Sequence, residues 1–215
     1  MARKQKTAAL QPEKRDAVKP GIGMFIPLIL VLGVIPLLVR MKLVWLPEAA
    51  APFWTQDYAA DFFSYYKSRA LMLTAVYMAA VYGFYKSAGL KGSLRKNNAL
   101  KIYFAGAAVL AVLAFLSALF SDYKGIAIWG GPERCEGMFM MFVYLLIMLY
   151  AMWAFSHKPE FTYIAVPLGV LTFITGFLGV FQFFGHDLFT TDFGKSLIVP
   201  ASYLAQGELK MLFPY

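Results

Sequence analysis

The sequence predicts an all-α integral membrane protein, a bundle of about five transmembrane helices. Three observations predict it. Of its 215 residues, 60% are hydrophobic and only 15% charged. The mean hydropathy is +0.61. The apolar residues gather into five runs that contain no Asp, Glu, Lys, Arg or His. A soluble domain of this length lacks the polar residues to wet its surface at such a composition.

The runs cover about 22–39, 70–85, 102–120, 138–155 and 163–184, and each is near the ~20 residues needed to cross hydrocarbon. The first is too long for the apolar core of a secretory leader, and its nearest small-residue cleavage candidate, Ala49-Ala50-Ala51, lies too far downstream. It reads as an uncleaved helix bent by Pro27 and Pro36. The second run is short, so the aromatic segment before it is expected to complete the span. Ala75, Ala79 and Gly83 recur every four residues there, as do Ala107/Ala111 and Ala114/Ala118 in the third. That spacing lines small side chains along one helix face, where another transmembrane helix can approach closely. Pro167 interrupts the fifth run mildly.

Lys and Arg counts orient the chain. The 1–20 tail holds Arg3, Lys4, Lys6, Lys14, Arg15 and Lys19; the 86–101 segment holds Lys86, Lys91, Arg95, Lys96 and Lys101; the 156–160 turn adds Lys158. On the opposite side stand Arg40, Lys42, Lys67, Arg69, Lys124, Arg134, Lys195 and Lys210, sharing their loops with nine acids. The bias places the N-terminus in the cytoplasm of a multi-pass plasma-membrane protein. Residues 1–20 are then a basic cytoplasmic tail, 21–215 the transmembrane domain, and 41–69, 121–137 and 185–215 the outer loops. Basic clusters between apolar runs face anionic lipid rather than nucleic acid.

Other chemistries find little purchase. The single Cys135 forms no intrachain disulfide, and His157 and His186 are far apart in sequence, so no metal site or cofactor is expected. Runs without ionisable residues give no sign of an ion-coupled transporter.

The outer loops carry the remaining information. Tyr58, Phe62, Tyr65 and Tyr66 fall on one face if the segment is helical. Such rings either anchor the chain at headgroup level or form a shelf for a lipid-linked substrate. In the second loop, Gly130-Gly131-Pro132 enforces a turn, and Gly137 closes the loop. Arg134 follows that turn between Glu133 and Glu136. It is the candidate phosphate ligand, since a guanidinium grips phosphate through two parallel hydrogen bonds. The competing reading pairs it with a neighbouring acid. His186 has the unperturbed pKa of a general base but stands alone at the interface.

Phe120-Ser121-Asp122, then Trp129-Gly130-Gly131-Pro132-Glu133-Arg134-Cys135-Glu136-Gly137 leading into a span, resembles the bacterial O-antigen ligase/polymerase-like membrane proteins. Asp61-Phe62-Phe63-Ser64-Tyr65-Tyr66-Lys67 and Gly179-Val180-Phe181-Gln182-Phe183-Phe184-Gly185 add to the likeness, which runs in order from about Met24 to Gly185. The resemblance implies a glycan ligase or polymerase of cell-envelope polysaccharide biosynthesis. Such a protein moves a glycan from a polyprenyl-diphosphate carrier to an acceptor at the outer face, using neither metal nor nucleotide. It also implies a larger helical bundle of which this chain is the N-terminal part, inactive alone. The family's catalytic arginines and histidine lie beyond that part, so no residue here is assigned a catalytic role. Membrane lipid, lipid-linked glycan and other transmembrane helices are the partners implied. Two alternatives remain, a non-catalytic polytopic subunit packed against a partner and a transporter fragment. Further spans with a large outer loop rich in Arg and His would favour the first reading, and internally repeated broken helices the last.

Overall fold

The computed structural model describes residues 21–46, 58–90, 98–131, 134–157 and 160–201; the basic tail, Pro132, Glu133 and Lys158 lie outside them. The fold is mostly helical, with three helices long and apolar enough to cross a membrane: Lys101–Leu119, Met138–His157 and Thr162–Phe183. Large apolar side chains on their outer faces stand uncovered, Phe173 at 73% and Leu113 at 56% exposure among them. Only lipid or another protein can cover surface of that extent. Two threonines of the last of these helices bond within it, as hydrocarbon favours: Thr172 donates to the Leu168 carbonyl and Thr175 to that of Leu171.

The first apolar run folds as a shorter helix, α1, Ile26–Leu37. It is α-helical over Ile26–Ile29, π-helical over Leu30–Val34 and 3-10 over Ile35–Leu37. Pro36 explains the change, because it has no N–H to continue the i→i−4 ladder. Gly33 lies in the widened stretch, and a Cβ there would stand 3.1 Å from that of Pro167. The glycine thus lets α1 close on the Thr162–Phe183 helix at Pro167, where that helix's own ladder is already broken.

A two-stranded antiparallel hairpin follows, β1 (Lys42–Trp45) with β2 (Tyr58–Asp61), pairing Lys42 with Asp61 and Trp45 with Tyr58. This departs from the helical reading of the first outer loop: Tyr58 is a strand residue, and α2 spans Ser64–Ser87. Asp61 sets the boundary. Its Oδ1 accepts from the Phe63 and Ser64 amides at 2.8 and 2.7 Å, and its Oδ2 from Tyr65 at 3.0 Å. One buried carboxylate thereby satisfies three amides at the start of the helix, where no intrahelical acceptor exists.

Next come α3 (Asn98–Leu119), the short α4 (Lys124–Trp129), α5 (Met138–His157), α6 (Thr162–Phe183) and α7 (Asp192–Ile198). Thr191 caps α7, its hydroxyl accepting from the Gly194 amide at 3.1 Å. Two regions organise the bundle. At one end, Met24, Phe25, Met78, Tyr85, Tyr150 and Trp153 form the buried core, joining the start of α1 to the ends of α2 and α5. The Tyr150 hydroxyl donates to the Met24 carbonyl at 2.6 Å, and Phe25 stacks on Tyr163 from the start of α6 with centroids 4.3 Å apart. At the other end the hairpin, α4 and α7 gather, with the Met41 amide donating to the Ile198 carbonyl at 2.7 Å. Successive long helices therefore alternate in direction, and the described parts of the three segments read as outer loops share one end of the bundle.

Candidate functional site

At that shared end a cleft of about 360 Å³ opens between the hairpin, the first two turns of α2, α4 and the glycine loop. Trp45, Tyr65, Tyr123 and Trp129 give it aromatic walls; Ser68, Arg69, Lys124, Gly130, Gly131 and Cys135 also line it. Arg69 stands one helical turn after Tyr65. Its guanidinium lies 5.4 Å from the Tyr65 ring centroid and 5.3 Å from that of Trp129. Each contact is worth about 0.5–1 kcal/mol at an exposed site. Together they hold the cation over the cleft while leaving N–H donors for an anion. Trp129 is itself backed by Phe139, with centroids 4.8 Å apart, so α5 supports the platform.

The second loop is built on two glycines. Gly130 has φ +92°, and a Cβ there would overlap the Cys135 carbonyl carbon and the Glu136 amide. A Cβ on Gly137 would meet the Gly130 amide and the Ile128 carbonyl. The two ends of the loop cross backbone on backbone, which only glycine permits. Gly131 differs: nothing lies within 4 Å of its Cβ position, and it contributes its carbonyl, which accepts from the Arg134 and Cys135 amides at 3.3 and 2.9 Å. Cys135 adopts φ +48°, and this turns its thiol back towards α2. Burial raises its pKa first, and the Asp61 carboxylate raises it further; a hydrogen bond with Ser68 and the Arg69 charge oppose them.

Arg134 is exposed on the rim, one residue before a cleft-lining one, and its side chain has no hydrogen-bond or ion-pair partner among the described residues. Pro132 and Glu133 lie outside those residues. Glu136 accepts from the Tyr144 hydroxyl at 3.3 Å. His186 is exposed and lines none of the cleft. Among the described residues no three His, Cys, Asp or Glu side chains cluster as a metal site. Sequence reasoning counted Arg69 and Lys124 only as topology charges. The Tyr65/Arg69 spacing of four residues was the available signal for one of them, but Trp129 arrives from a distant segment. Comparison with family models, curated proteins and solved structures gives no match.

Proposed function

We propose that this chain is a membrane segment of an O-antigen ligase/polymerase-like protein, seated in the bacterial plasma membrane with its N-terminus cytoplasmic and five helices crossing. In this reading α1 and α2 span together with the three long apolar helices, and the cleft faces outwards. There it receives the diphosphate end of a polyprenyl-linked glycan. The observation that carries the reading is the Arg69 guanidinium held between Tyr65 and Trp129, with Lys124 on the same cleft. Cationic donors stabilise the charge that develops on a diphosphate as it leaves, and flat aromatic faces suit the apolar faces of sugar rings. Arg134, on the rim, adds a second guanidinium that reaches the carrier as it enters.

The test is glycan transfer in cells whose only copy of the protein carries Arg69→Ala, Arg69→Lys or Arg134→Ala at wild-type abundance. A charge-assisted hydrogen bond contributes about 1.5–3 kcal/mol, so Arg69→Ala is expected to lower transfer roughly tenfold or more. Arg69→Lys recovers part of it, since charge survives without the fork. Undiminished transfer in both alanine variants sinks the reading.

A second reading, a non-catalytic subunit packed against a partner, is favoured by one observation. An apolar hollow of about 550 Å³ between α2, α3 and α5 is floored by Ala79, Ala107, Ala108 and Ala111. Such small side chains admit a foreign helix. Under this reading the double substitution Ala107→Leu, Ala111→Leu reduces the native assembly to the size of the isolated chain, and Arg69→Ala leaves it intact.

A further inference from the structure

We propose that α7 is an interfacial helix, lying along the membrane surface at the hairpin end of the bundle with Phe193 and Leu197 sunk among the upper acyl chains. The inference needs only that α6 crosses a membrane and is independent of glycan transfer. At about 100° per residue, α7 divides into three edges. Gly194 is buried and Ile198 half-buried, so their edge faces the protein. Phe193 and Leu197 stand about 100° round from it, and they are 79% and 58% exposed. Asp192, Lys195 and Ser196, all exposed, occupy the remaining edge. An apolar edge and a charged edge flanking a protein-facing back match the boundary between acyl chains and headgroups, where one side is dry and the other wet.

The way α7 is tied down puts it at that boundary. Phe173, Phe177, Val180 and Phe184 recur on one face of α6 and are 73%, 51%, 55% and 71% exposed, so the surface that α6 offers to lipid reaches its last turn. The chain does not climb away from there. Gly185, at φ +78°, turns it aside: the Gly185 amide donates to the Gln182 carbonyl at 3.0 Å and the His186 amide to that of Phe181 at 2.9 Å. The Gln182 side chain also donates to Asp187 Oδ1 at 3.4 Å. That same oxygen accepts from the Phe189 amide at 2.9 Å and caps the 3-10 turn Leu188–Thr190. The first turn of α7 folds back on this turn, close enough that a Cβ on Gly194 would overlap the Leu188 carbonyl. The far end is tied to Met41, four residues after α1, whose amide donates to the Ile198 carbonyl at 2.7 Å. Both ends of α7 are thus held where α6 and α1 give out, and its axis runs along the surface rather than away from it. Its apolar edge continues the lipid-facing surface of α6. Met41 is fully buried, so the anchored helix in turn fixes the start of the hairpin at headgroup height.

The experiment is spin labelling of the full chain in phospholipid nanodiscs, with Cys135→Ser removing the native thiol. Phe193→Cys, Leu197→Cys, Ser196→Cys and Phe173→Cys are labelled one at a time and compared at matched monodispersity. Each label is tested for collision with oxygen, which concentrates in hydrocarbon, and with a charged nickel chelate, which stays in water. The label at Phe173 supplies the hydrocarbon reference on α6. Labels at Phe193 and Leu197 are expected to favour oxygen, at a depth of about 5–10 Å into the headgroup and acyl boundary. The label at Ser196 is expected to favour nickel. Nickel access at Phe193 and Leu197 equal to that at Ser196 puts α7 in water and overturns the proposal. Shielding of both labels from both reagents also overturns it, because protein rather than lipid then covers the edge. Glycan transfer plays no part in this readout. Oxygen-favouring labels beside undiminished transfer in Arg69→Ala and Arg134→Ala would keep the interfacial helix and sink the glycan-donor reading.

Discussion

At the residue scale, the second loop separates two glycines that look alike in the sequence. Gly130 has a left-handed backbone and no room for a Cβ, whereas Gly131 has both an ordinary backbone and open space. Gly130→Ala is therefore expected to lower thermal stability in detergent by several degrees and loosen the cleft, and Gly131→Ala to change neither. Equal melting temperatures for the two variants would show that the crossing of the loop ends is not a constraint. The thiol beside them gives a chemical readout. Because burial and the Asp61 carboxylate raise the Cys135 pKa, less thiolate is present at pH 8 than for a free cysteine, and maleimide labelling is slower. The sign follows for the neighbours. Removing the Arg69 charge raises the pKa further, so Arg69→Ala slows labelling; unchanged or faster labelling would place the guanidinium away from the thiol. The glycine turn was legible from the sequence because turn chemistry is local. Arg69 was not, because a cation between rings from α2 and α4 is a product of tertiary packing.

At the element scale, the long helices were legible and the hairpin was not. Apolar runs that cross hydrocarbon announce themselves by length and lack of charge, and α3, α5 and α6 coincide with them closely. The hairpin strands are four residues each, too short for a period of two to stand out against the aromatic spacing that suggested a helix from Tyr58 onwards. What makes that helix start later, at Ser64, is Asp61, whose carboxylate takes up the first free amides of α2. The break in α1 was foreseeable from Pro36, whereas Pro27, also expected to bend the helix, sits in its first turn, where a proline displaces no hydrogen bond; the close approach of Gly33 to Pro167 depends on the neighbour. The α1–α6 crossing makes a graded test. Gly33→Ala presses a Cβ to 3.1 Å from Pro167, a contact that small shifts can relieve; Gly33→Leu cannot be relieved without parting the helices. Thermal unfolding in detergent should fall in the order wild type, Ala, Leu, with about 1–3 kcal/mol lost in the last. A Leu variant as stable as the wild type would show that α1 does not rest on α6.

At the scale of the whole molecule, two clusters hold the alternating helices, and they differ in kind. One is a dry aromatic core around Trp153 and Tyr150. The other is an open polar end where the hairpin, α4, the glycine loop and α7 meet around Arg69. A membrane protein exposes chemistry where backbone can leave regular helix, and that happens at its wet ends. Sidedness is therefore the property on which the cleft depends. The proposed function requires the cleft to face outwards, as the Lys and Arg asymmetry leads one to expect, and Cys135 reports on it directly, being the single cysteine and lining the cleft. In intact cells a charged, membrane-impermeant thiol reagent is expected to label Cys135 at pH 8, slowly but to completion, and to leave Cys135→Ser unlabelled. Saturating the cleft with a glycosyl diphosphate analogue should protect the thiol. Labelling that appears only after permeabilisation would put the aromatic and cationic walls in the cytoplasm, where an outward-facing glycan donor cannot reach them.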